Sequence, residues 1–109
     1  MTQLEVIRMI GDVLTEIDVT VGSLMPGDPD LTRLQDLRRL LDARQLMLSR
    51  QVFDDNTQQF LRAAAELQVV NDEIRGKIRK VDDMVTAIRN VTKFLDAVTG
   101  FMGKINGLG

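Results

Sequence analysis

The groups of this 109-residue chain whose types could do chemistry are three adjacent acidic pairs and one basic run. The pairs are Asp54-Asp55, Asp72-Glu73 and Asp82-Asp83; the run is Arg75, Lys77, Arg79 and Lys80. Paired carboxylates do general acid–base work, or hold hard cations, when their oxygens converge. Neighbouring residues on a helix point in different directions, so none of the three pairs is a preset dyad. On a helix the four cations likewise spread around the axis, and no aromatic residue accompanies them to stack on bases. Nucleic acid is therefore not an expected partner. The chain has no histidine and no cysteine. It lacks the commonest general base, the commonest transition-metal ligand and any thiolate nucleophile. The expectation is a non-enzyme with no catalytic residues, no cofactor and no metal.

Fourteen basic residues against sixteen acidic ones give a formal charge of −2, too balanced to select an acidic membrane or a nucleic acid. The distribution is uneven, because Arg8 alone stands against Glu5, Asp12, Glu16, Asp18, Asp28 and Asp30 in the first thirty residues. This reads as a solvated acidic face on the first helix. There is no cysteine, no secretory leader pattern and no apolar run of about eighteen residues. A small acidic cytoplasmic protein is expected. Its four phenylalanines, with no tryptophan or tyrosine, leave the core to aliphatic side chains, which suits helix-on-helix packing.

The elements follow from apolar spacing. Ile7, Ile10, Leu14, Ile17, Val21 and Leu24 step by threes and fours and predict a helix over residues 2–25. Met25-Pro26-Gly27-Asp28-Pro29 then predicts a tight turn, with Asp28 capping a second helix whose first residue is Pro29. That helix is expected over residues 29–53, antiparallel to the first, with Leu31, Leu34, Leu37, Leu40, Leu41, Met47 and Leu48 turned inward. Asp54-Asp55-Asn56-Thr57 predicts a second turn, with Asp55 and Gln58 at capping-box spacing.

From Phe60 to Ile105 one seam keeps its phase: Phe60, Ala63, Leu67, Val70, Ile74, Lys77, Val81, Met84, Ile88, Val91, Leu95, Val98, Met102 and Ile105. Lys77 is its single polar position. The seam predicts one long helix over residues 56–104, with a frayed tail at 105–109. Gly76 is expected to sit inside that helix, so that Gly76→Ala would stabilise it. At 1.5 Å per residue the helix would be about 70 Å long, twice its neighbours. Its uncovered half needs a second copy, another molecule, or a fold-back near Gly76. Asn71, a lone polar residue beside the seam, suits a register-fixing role as well as a boundary position.

The expected fold is all-α and a single domain over residues 1–109. It is an antiparallel helical hairpin with a long third helix in coiled-coil-like packing, or four helices if the chain kinks near Gly76. The expected function is stoichiometric protein–protein interaction of the immunity-protein, secretion-chaperone or regulatory-adaptor type. The distal seam and its flanks, Val91, Phe94, Leu95, Val98, Phe101, Met102 and Ile105, are the candidate binding residues. The partner would be a second copy, in a homo-oligomer, or another protein. The alternative is a membrane-active helical subunit, pore-forming or membrane-remodelling, that uses the apolar C-terminal third.

Overall fold

Thr2 starts the first helix by a reciprocal cap. Its side chain accepts from the Glu5 N–H at 3.2 Å, and the Glu5 carboxylate accepts from the Thr2 N–H at 3.1 Å. In the computed structural model, which describes residues 1–79 and 82–106 (Asn106 for its backbone alone), this helix is α1, Gln3–Gly22. It buries Val6, Met9, Ile10, Val13, Leu14 and Ile17 along one stripe.

The chain reverses at residues 25–28 as expected. Pro26 and Gly27 are the central pair of a turn closed by the Asp28 N–H donating to the Met25 carbonyl at 3.1 Å. Gly27 has φ +89°, as the third residue of a type II turn requires. Asp28 caps α2, Pro29–Arg50, by accepting from the Asp30 N–H at 2.9 Å, and Pro29 occupies the first turn. Inward-facing Leu34, Leu37, Leu41 and Leu48 are all buried. Both helices stop short of their expected ends at residues 25 and 53. At α2 the cause is the Gln3 side chain. Its amide donates to the carbonyls of Leu48 at 2.8 Å and Gln51 at 2.5 Å, and accepts from the Phe53 N–H at 3.3 Å, which satisfies groups a further helical turn would otherwise use.

The second turn also forms, but Thr57 rather than Asp55 is the cap. The Thr57 hydroxyl accepts from the Phe60 N–H at 3.1 Å and starts α3, Gln58–Ile74. Asp55 instead accepts from the Gln3 N–H at 2.9 Å, tying this turn to the start of α1.

The continuous helix over residues 56–104 does not form. Arg75 (φ −58°, ψ 127°) and Gly76 (φ +76°) are the central pair of a second type II turn. The Lys77 N–H closes it by donating to the Ile74 carbonyl at 2.9 Å. The chain returns as α4, Met84–Asn106, which also takes Ile105 and Asn106 from the expected tail. Lys80, Val81 and residues 107–109 lie outside the described residues. Ile78, between the two helices, is fully buried, and its carbonyl accepts from the Thr20 hydroxyl of α1 at 3.0 Å.

The result is a four-helix bundle whose longest dimension is 44 Å. α1 and α2 run antiparallel, with the Gln45 amide on the Ile7 carbonyl at 3.1 Å near one end and Arg38 on Asp18 at 2.5 Å near the other. α3 and α4 run antiparallel, held by Lys93–Glu73 at 2.5 Å and by Lys104–Glu66. α2 and α4 lie side by side with their starts at the same end of the bundle, and α1 and α3 stand farther apart. Among the described residues most of the seam is buried as its spacing predicts, with Lys77 exposed, but by the chain itself. Phe60, Ala63, Leu67 and Ile74 of α3 meet Val91, Leu95, Val98, Met102 and Ile105 of α4 in one core with the α1 and α2 stripes. Inside it the Phe60 and Phe101 rings meet edge to face, 5.6 Å apart at 78°.

Candidate functional site

The fold-back at Gly76 decides which apolar side chains are free. Val91, Phe94, Leu95, Val98, Phe101, Met102 and Ile105 all lie in the intramolecular core, none more than 8% exposed. They are brought together as expected, but facing inward, so they form no docking surface in the closed bundle. The physical reason is the turn. It lays α4 against α2 and α3, which cover the stripe that a straight helix would have left open.

The acidic pairs do structural work. Asp83 accepts from the Thr86 N–H at 3.2 Å and from its hydroxyl at 2.7 Å, at the start of α4. Glu73 binds Lys93, and Asp72 accepts from the Gln68 amide at 2.8 Å. Among the described residues no three acidic side chains gather as a metal-holding group. No helix among them is long and apolar enough to cross a membrane. The Glu5 carboxyl and the Arg38 guanidinium have displaced proton affinities. Hydrogen bonds from the Thr2 backbone N–H, then from the Thr2 hydroxyl, hold the Glu5 carboxyl below its ordinary value of 4.5. The hydrogen bond to Asp18 raises the Arg38 guanidinium above its usual range.

The exposed large apolar side chains lie elsewhere: Leu40, Leu46, Met47 and Val52 lie on or just past α2, and Leu4, Val19, Met25, Leu61, Val69 and Val85 are distributed over the other elements. Leu40, Leu46 and Met47 are about half exposed, and Val52, just past the helix end, is 97% exposed. Leu40, Arg44 and Met47 sit at i, i+4 and i+7, so they form one ridge along α2. That ridge borders the α4 seam, because the Arg44 guanidinium reaches across to the Thr99 hydroxyl at 3.4 Å. Leu4, at the start of α1, adds exposed apolar area at the end of the bundle where α2 finishes. The charge around the ridge is basic: α2 carries Arg33, Arg38, Arg39, Arg44 and Arg50 against Asp30, Asp36 and Asp42. Of these, Arg38 is engaged by Asp18 and Arg39 by Asp36 at 3.5 Å.

Sequence spacing had turned Leu40 and Met47 inward, since apolar residues on a helix are read as core by default. Their signal was a stripe too wide: α2 has more leucine and methionine than one buried face uses. No protein-family model matches the chain, and no curated protein or solved structure shows a significant match to it.

Proposed function

We propose that the protein is a non-enzymatic interaction module that binds another protein stoichiometrically through the outer face of α2. One observation carries this reading. The bundle closes its own core, yet Leu40, Leu46, Met47 and Val52 stay exposed on one helix and the residues following it. Exposed apolar side chains concentrated in this way mark interaction sites, whereas scattered single ones do not. The arginines bordering them suit a partner with an apolar centre and an acidic rim. Rim charges of that kind steer encounter and fix register more than they add affinity. An immunity protein, a secretion chaperone and a regulatory adaptor all act in this way.

A membrane-active role for the C-terminal third would require α4 to leave the bundle and expose the residues now packed against α2 and α3. The α2 face requires no such opening, and this favours protein binding.

The test compares wild type with Leu40→Glu/Met47→Glu, two substitutions on exposed positions that leave the core intact. Circular dichroism should show the same helicity and melting temperature for both. In a pull-down from the native lysate, wild type should recover one species in stoichiometric amount, and the double variant should lose it. Recovery of that species in equal amount by the variant would overturn the α2 face. Recovery of nothing but the protein itself would overturn heterologous binding.

A further inference from the structure

α1 and α3 stand far enough apart to leave a cleft of about 330 Å³, continued towards the α1 N-terminus by a second of about 220 Å³. Asp12, Asn71 and Arg75 line both. The two walls carry opposite charge. Asp12 and Glu16 stand on α1, while Arg75 and Arg79 stand at the end of α3 and just beyond it. Among the described residues no ion pair spans the gap, and Arg75 has only a loose contact with Asp72, at 3.9 Å.

Asn71 lies between the walls. It is 9% exposed, and its side-chain amide makes no hydrogen bond to the protein. Neither amide atom is sealed from the surface, and Asn71 lines the cleft. Buried polar side chains in folded proteins almost always have partners. Thr20, the other buried polar residue among those described, has two. The Asn71 amide, free of protein partners, thus stands beside acids and guanidinium groups that no ion pair bridges, and together they offer hydrogen-bonding and charged groups of both signs to one cleft.

We infer that the α1–α3 cleft binds a small zwitterion carrying an ammonium and a carboxylate, an amino acid or a dipeptide. The carboxylate pairs with Arg75 and Arg79, the ammonium with Asp12 and Glu16. The Asn71 amide donates to and accepts from the polar atoms between them. The site lies apart from the α2 face and does not depend on it.

The test is titration of the isotopically labelled full chain, followed by NMR, with L-alanine, 4-aminobutyrate and diglycine as separate arms. These space their charges differently and so distinguish the free amino acid from the dipeptide. N-acetylalanine amide is the neutral control. At least one zwitterion should shift the Asn71 side-chain amide and the Arg75 and Arg79 guanidinium signals saturably, and the control should shift none of them. Arg79→Gln and Asp12→Asn, both at exposed positions, should each weaken binding by about tenfold, the size of a lost charge-assisted hydrogen bond. Asn71→Leu should abolish it with the fold retained. Absence of saturable shifts in all three arms, equal shifts with the neutral control, or unchanged affinity in the charge variants would overturn the proposal.

Discussion

The two helical hairpins of this protein reverse direction through the same device and advertise it differently. The α1–α2 turn places Pro26 and Gly27 at the centre of a type II turn, and the α3–α4 turn places Arg75 and Gly76 there. In the first, proline presets one backbone angle, a capping aspartate follows, and the apolar spacing stops. In the second, the apolar spacing runs on through the turn. Ile74 and Ile78, on either side of Gly76, are both buried, so the connecting segment packs into the core like a helix turn without being one. An uninterrupted seam thus specifies which side chains are buried. It does not specify that one straight helix buries them.

The largest expected effects test whether both hairpins share one core. Phe94→Ala in α4 should destabilise the protein by about 3–5 kcal/mol, and Leu34→Ala in α2 by about 2–5 kcal/mol, because both leave cavities in fully buried positions. Chemical denaturation of each variant should show a single transition. A loss confined to α4 would separate the hairpins. Leu95→Asp should unfold the whole bundle for the same reason, since an unpaired carboxylate would enter the core.

The turns themselves come next. Gly76→Ala and Gly27→Ala should each cost about 1–2 kcal/mol, the strain of a side chain at positive φ. A Cβ meets nothing within 4 Å at either glycine, so backbone strain is the whole effect. Gly76→Asn should cost less than Gly76→Ala, because asparagine tolerates that conformation. Melting curves decide the order, and a stabilised Gly76→Ala would restore a straight helix.

A smaller effect separates the helix starts. Thr57→Ala and Asp28→Ala should each lose about 1 kcal/mol of capping. The smallest concerns Glu5, whose carboxyl is held below 4.5 in the folded protein. A depressed carboxylate contributes stability above its unfolded value and loses it as pH falls through the folded one. The difference in melting temperature between wild type and Glu5→Gln should therefore be constant above pH 4.5 and shrink below it. A difference that stayed flat through acid pH would remove the capping box from the account of α1.

Much of this architecture is legible in the residues. The Asp28-Pro29 start of α2, the Gly27 turn and the buried set on the seam all follow from side-chain type and spacing. Two things do not. The φ of Gly76 is invisible, because glycine in an apolar register fits a helix and a turn alike, and only the packing of α4 onto α2 and α3 selects the turn. The direction of Leu40 and Met47 is invisible too, because it depends on which flank α4 occupies. The Gly76 turn buries the α4 seam, and that packing leaves Leu40 and Met47 of α2 exposed. Asn71 was conspicuous beside the seam, but its unpartnered amide is a property of the α1–α3 spacing.

The distance between residues 59 and 104 tests the fold-back most directly, and with it the choice of docking face. The Gln59 amide donates to the Lys104 carbonyl at 2.9 Å, so spin labels on Gln59→Cys and Lys104→Cys should report a single short distance. The chain has no native cysteine to compete for the label. A continuous helix would place the two positions about 68 Å apart at 1.5 Å per residue. That long distance would return Val91, Phe94 and Leu95 to the surface and contradict both the closed bundle and the α2 face.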